Sequence, residues 1–189
     1  QQQADDSEES DGEEEFLVSP ENAAWIANFL PRQWLCVEIC CGTGRLTAKL
    51  RGAGFSATAI DYKRNRHAHE TAQIQLDLTT AQGVQRLWAL LNHDRLAYVH
   101  VALPCGTLSR AREIPHKPEP GFADCPQPLR SEQHPWGLPH VINGPPSRDK
   151  NRVLATNKLI ELTYDVISFC RNHNITWSLE NPSHSLLWY

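Results

Sequence analysis

The stretch Val37-Glu38-Ile39-Cys40-Cys41-Gly42-Thr43-Gly44-Arg45-Leu46-Thr47-Ala48-Lys49-Leu50 decides the fold. Its first half is a short apolar run, suited to a strand buried on both faces. Its second half has helical character, and the glycines of Gly42-Thr43-Gly44 form the hinge between them. A strand that runs through a glycine turn into a helix lets backbone N–H groups approach a ligand closely. Asp61 follows about 20 residues later, at the end of the next apolar run. An acid in that place can accept hydrogen bonds from ribose hydroxyls.

The alternation continues along the chain. Leu35–Cys40, Phe55–Ile60, Ile74–Leu76, Ala97–Leu103 and Ile175–Leu179 are predicted strands. Arg45–Ala53, Thr80–Leu91 and Asn151–Arg171 are predicted helices, with Leu159, Leu162, Val166 and Phe169 on the buried side of the last. A further helix is expected after Ser19-Pro20-Glu21, from the capping hydroxyl, the proline in the first turn and the acid beside it. Residues 104–150, rich in proline and without periodicity, are expected to form a long loop that is either functional, at an active site or nucleic-acid surface, or partly mobile. Alternating strands and helices imply an α/β fold with a mostly parallel sheet. Ligands of such sheets bind beyond the carboxyl ends of the strands. Gly42–Gly44, Asp61, Asp77, Pro104-Cys105 and Glu180-Asn181-Pro182 all fall there.

The formal charge of −4 conceals two parts. Residues 1–15 carry eight acids and no base, and are expected to form a disordered acidic tail. Residues 16–189, the expected domain, carry 18 bases against 14 acids, a balance compatible with a polyanionic partner. No apolar stretch is long enough to suggest a membrane span. Six scattered cysteines without a C-x-x-C pattern argue against a disulfide framework or zinc module and for a reducing, intracellular setting. Nine histidines show no metal-ligand spacing. The absence of methionine suggests a piece of a longer chain.

The stretch 37–50 resembles motif I of class I S-adenosylmethionine-dependent methyltransferases. Glu38 holds the acidic place and Gly42-Thr43-Gly44 the later glycines, while Cys40 stands where the family has its first glycine. The resemblance implies that Asp61 binds the ribose and that Asp77 sits beside the adenine amino group. Glu38, Cys40, Gly42, Thr43, Gly44, Asp61, Asp77 and Pro104 would then line an S-adenosylmethionine site. A dinucleotide-binding fold is the rival, but Thr47 stands where its third glycine is required.

Pro104-Cys105-Gly106-Thr107-Leu108-Ser109 and Glu180-Asn181-Pro182 resemble the catalytic pair of DNA cytosine-5 methyltransferases. Gly106 replaces a glutamine of that family and Pro182 a valine. The resemblance implies Cys105 as nucleophile, Glu180 as the acid facing the base, Asn181 as a residue fixing the loop and Ser109 as a supporting group. Arg110, Arg112, Arg148 and Arg152 would meet DNA, with RNA as the alternative, in a nuclear location. The resemblance covers about residues 35–182 and implies a Rossmann-like methyltransferase fold with the strand order 3-2-1-4-5, whose C-terminal strands are expected to be missing. The region between Ser109 and Arg152 looks more like methyltransferase-like regions of eukaryotic retroelement polyproteins. That leaves an alternative: a binding module of a mobile-element polyprotein without turnover. A less favoured alternative reads Asn181-Pro182 as a degenerate amino-methyltransferase motif acting on adenine or on cytosine N4.

Overall fold

The computed structural model describes residues 34–62, 69–113 and 127–189. The expected helix after Ser19 and the acidic tail lie outside them. Five parallel strands make one sheet: β1 (Leu35–Ile39), β2 (Ser56–Asp61), β3 (Gln73–Gln75), β4 (Leu96–Ala102) and β5 (Thr176–Glu180), in the order β3-β2-β1-β4-β5. The fold is therefore α/β and Rossmann-like, with the parallel sheet that the alternation predicts and the expected strand order. The helices are α1 (Arg45–Gly52), α2 (Ala81–Leu91), the short α3 (Pro139–Ile142) and α4 (Arg148–Asn172). Among the described residues the sheet has no sixth strand.

Burial follows from topology. β1 lies at the centre and is buried along its whole length. Its Val37 and Ile39 join Ile60, Val99 and Val101 on the face that carries Leu87 and Leu90 of α2 and Leu162 and Val166 of α4. Fully burying one such aliphatic side chain contributes about 1.5–3 kcal/mol, so this layer supplies the main stabilisation of the sheet. Leu159 and Phe169 pack at its margin, half-buried.

The long helix begins at Arg148, three residues before the expected Asn151. Ser147 is the cause: its hydroxyl accepts the N–H of Lys150 at 3.1 Å and satisfies a donor left open in the first turn. Asp149 in that turn faces the positive end of the helix dipole. The expected long loop is also more ordered than its composition suggests, within its described parts. Cys105–Thr107 and Arg110–Glu113 are 3₁₀ turns, and residues 127–138 are pinned to the body by Arg130. No described helix is long and apolar enough to cross a membrane.

Candidate functional site

The chain leaves β1 in opposite directions: β2 and β3 lie to one side, β4 and β5 to the other. Such a reversal opens a crevice at the carboxyl ends of the strands. A cavity of about 370 Å³ occupies it, bounded by Cys40 after β1, Asp61 and Tyr62 after β2, Asp77 after β3 and Pro104 after β4. Its roof is one side of α4, from Arg152 to Leu159. The volume lies within the roughly 300–1,000 Å³ range of small-molecule sites.

The glycine turn is held in a left-handed path. Cys40, Gly42 and Gly44 have φ of 59°, 57° and 73°. Gly44 is required twice over, since a Cβ there would stand 2.9 Å from Thr71 Cγ2. Cys40 is the costly position, because a left-handed conformation disfavours an L side chain by about 1–2 kcal/mol. This is the place where the resembled family carries glycine, and the backbone there has the conformation that glycine favours.

Asp61 closes the turn. Its Oδ2 accepts the N–H of Gly42 at 2.7 Å and lies 3.8 Å from Cys41 Sγ, and its Oδ1 accepts the N–H of Tyr62 at 2.6 Å. The carboxylate and burial together hold the Cys40 thiol protonated, pushed up to about 12, with burial the larger cause. Burial and the same carboxylate raise Cys41 as well. Asp77 sits at the start of α2, its Oδ1 accepting the N–H and hydroxyl of Thr79 at 3.0 and 2.6 Å. The described structure gives no hydrogen bond to Asp77 Oδ2.

Of the eight residues expected to line a cofactor site, Cys40, Asp61, Asp77 and Pro104 border the cavity. Glu38 does not. It is buried behind the turn, and its Oε2 accepts the backbone N–H of Thr47 at 2.8 Å and its hydroxyl at 2.6 Å. Gly44 has no side chain to cap α1, so the strand carboxylate does so instead. Thr43 also turns elsewhere, its carbonyl accepting the N–H of Glu70 at 2.8 Å. Gly42 contributes through its N–H to Asp61 rather than by bordering the cavity.

The expected catalytic pair is placed differently from the expectation. Cys105 and Glu180 are both at the carboxyl edge, Glu180 in register with Ala102 of β4, three residues before Cys105. Neither borders the cavity. The 3₁₀ turn presents Gly106 and Thr107 to the cavity and leaves Cys105 half-buried between them and Pro104, while Glu180 ends an exposed edge strand. Asn181 ties the two strand ends together, donating its amide Nδ2 to Leu103 O at 2.9 Å. Ser109 helps shape a separate open cleft of about 550 Å³, with Arg110, Pro182 and His184. It also bridges to Ser185.

The arginines are not one solvated face. Arg110 is paired with Glu132 and stacks over the Tyr189 ring at 5.0 Å. Arg112 donates to Gln127 O at 2.9 Å and faces Asp149. Arg148 is exposed. Arg152 borders the cavity.

Two features were not singled out in the sequence. Arg130 is buried, and its guanidinium donates to Thr107 Oγ1, Pro135 O and Val153 O at 3.3, 2.6 and 3.2 Å. Burial lowers it to about 10. His100 and Tyr98 both meet the Ser178 hydroxyl, at 2.7 and 2.6 Å, on neighbouring strands. Burial lowers His100, against the opposing pull of Glu38 and Glu180. Strand alternation could have placed Tyr98 and His100 on one face, but not their partner 78–80 residues away. Among the described residues no group of His, Cys, Asp and Glu is arranged to hold a metal. No protein-family model, no curated protein and no solved structure matches the chain.

Proposed function

We propose that the chain binds S-adenosylmethionine in the cavity at the β1–β4 reversal and methylates a cytosine base of DNA, with Cys105 as the nucleophile. The observation that carries this reading is the convergence of Asp61, Asp77 and the Pro104 wall on one cavity of about 370 Å³. The residues suit the ligand. A sulfonium, an ammonium and a carboxylate give it a net positive charge, and the cavity offers two carboxylates and one guanidinium. The negative diphosphate of a dinucleotide would meet a lining in which carboxylates outnumber the guanidinium. Asp61 accepts from ribose hydroxyls and Asp77 from an exocyclic amino group, while Leu76, Leu78 and Pro104 cover the faces of the purine. Cys40 narrows the floor where the resembled family has glycine.

S-adenosylmethionine, when bound, supplies an electrophilic methyl group. The chain's own part is to make cytosine carbon 5 nucleophilic. The Cys105 thiolate adds to carbon 6, forming an S–C bond and shifting electron density to carbon 5. The Glu180 carboxyl group stabilises the charge that develops at ring nitrogen 3. Carbon 5 would then take the methyl group, with the thioether S-adenosylhomocysteine as leaving group, and loss of the carbon-5 proton to solvent would break the S–C bond and return the thiolate. The base must leave its stack to reach these groups, and it must draw Cys105 and Glu180 to a common point.

A second reading has its own observation. Because neither Cys105 nor Glu180 borders the cavity, the fold also suits a cofactor-binding module without turnover, of the mobile-element kind. DNA carrying 5-fluorocytosine separates the two, since its carbon 5 has no proton to lose. With cofactor present, the first reading expects a covalent protein–DNA complex on a denaturing gel, lost in Cys105→Ser. Cofactor binding without any complex, alongside a control enzyme that traps normally, selects the second.

A further inference from the structure

Arg152 stands apart from the other arginines because of Gly106. Both border the cavity. A Cβ built on Gly106 would lie 3.1 Å from Arg152 Nη2. The guanidinium therefore fills the space that a side chain at position 106 would take. It is also anchored. Nη1 lies 3.4 Å from Asp149 Oδ1, one turn earlier on α4. Asp149 is shared, since Arg112 Nη2 lies 3.9 Å from the same oxygen. One carboxylate facing two guanidinium groups leaves a positive charge over at this wall.

The two ends of the cavity are thus opposite in sign. Asp77 follows β3 and Gly106 follows β4, with β2 and β1 between them. Three strand spacings of about 4.8 Å separate those walls by roughly 14 Å. We infer that Arg152 is a specificity-determining residue of this cavity: it receives the carboxylate at the amino-acid end of an adenosyl ligand whose base lies toward Asp77. This rests on the cofactor reading above. It gives Arg152 a part inside the cavity, whereas nucleic-acid phosphates would be met by exposed groups such as Arg148. It also gives Gly106 a purpose, because a larger residue would push the guanidinium out of the wall.

Calorimetric titration of the full chain tests it with three probes: S-adenosylhomocysteine, 5′-methylthioadenosine, which lacks the amino-acid end, and AMP, which carries phosphate in place of carboxylate. Wild type is expected to bind S-adenosylhomocysteine at least tenfold more tightly than 5′-methylthioadenosine. Arg152→Gln is expected to erase that preference while leaving 5′-methylthioadenosine binding within twofold and the melting temperature unchanged. Gly106→Gln, with Arg152 intact, should reduce the same preference. A preference that survives Arg152→Gln overturns the inference and leaves the cofactor reading standing. AMP binding more tightly than S-adenosylhomocysteine, and losing that advantage in Arg152→Gln, assigns Arg152 to phosphate and overturns the carboxylate assignment. Failure of wild type to bind either adenosyl thioether overturns the cofactor reading, and this inference with it.

Discussion

The carboxylate of Glu38, inside the central strand, accepts both the backbone N–H and the hydroxyl of Thr47, at 2.8 and 2.6 Å. This pair fastens the first turn of α1 to β1 from behind the glycine turn. Gly44 has the left-handed backbone the turn needs but no capping oxygen, so the cap comes from a residue nine positions before Thr47. The geometry of the cavity floor thus depends on an acid that does not border the cavity.

Removing that acid should be expensive for the fold. Glu38→Ala leaves the Thr47 N–H and hydroxyl buried without partners and is expected to cost about 3 kcal/mol, from charge-assisted bonds worth about 1.5–3 kcal/mol each. Glu38→Gln keeps an acceptor oxygen and should cost less than half as much. Urea unfolding of the two variants checks the order. Equal losses would show that the charge, and not the cap, is what matters.

Arg130 is expected to be the most sensitive position outside the strands. Arg130→Ala would leave Val153 O, Pro135 O and the Thr107 hydroxyl without the donor that joins them. Leaving buried neutral acceptors without a donor costs about 1–3 kcal/mol each, so the variant is expected to lose at least about 3 kcal/mol. The 127–138 segment should become more susceptible to limited proteolysis than in wild type. Arg130→Lys, with a single ammonium, is expected to recover less than half of the loss.

Position 40 distinguishes backbone cost from side-chain cost. Cys40→Gly relieves a left-handed conformation costing about 1–2 kcal/mol but gives up a packed thiol and adds freedom to the unfolded chain, so its stability should stay within about 1 kcal/mol of wild type. Cys40→Val puts a β-branched residue at φ 59° and should lose at least about 2 kcal/mol. Chemical denaturation of both variants reads the difference.

Thiol ionisation gives a pH dependence of known sign. Cys40 is pushed up to about 12 and Cys170 to about 11, from an ordinary value of 9.0. Between those limits the unfolded chain releases protons that the folded chain retains, so the contribution of these two thiols to stability is constant below about pH 9 and falls as pH rises beyond it. Urea midpoints at pH 8 and pH 10 should show this decline. It should shrink when Cys40 and Cys170 are both replaced by serine. In the native state at pH 8, iodoacetamide is expected to modify the half-buried Cys105 before Cys40, Cys41 or Cys170, as peptide mass mapping would show.

The sheet was legible because its signals are local. Glycine punctuation at Gly42 and Gly44 and apolar runs at Leu35, Phe55 and Ala97 fix where strands begin and end. Parallel pairing then follows from the alternation with helices. Asp61 and Asp77 were legible for the same reason, since each simply ends a strand. The contacts that Glu38, Arg130 and Arg152 make were not. Their partners, Thr47, Val153 and Gly106, are set by which way a side chain points across a turn or between elements, and spacing carries no record of that. Cys105 and Glu180 illustrate the same limit: chain order brings them to neighbouring strand ends, but the 3₁₀ turn decides which of its residues faces the cavity.

The central claim is that the cavity at the β1–β4 reversal holds an adenosyl cofactor between Asp61 and Asp77. Equilibrium dialysis with radiolabelled S-adenosylmethionine tests it most directly, on wild type and on Asp77→Ala, which removes a carboxylate without touching the glycine turn. The account predicts one equivalent bound by wild type and at least tenfold weaker binding by the variant, as expected for the loss of a charge-assisted hydrogen bond of about 1.5–3 kcal/mol. No binding to wild type, or equal binding to both proteins, would contradict it.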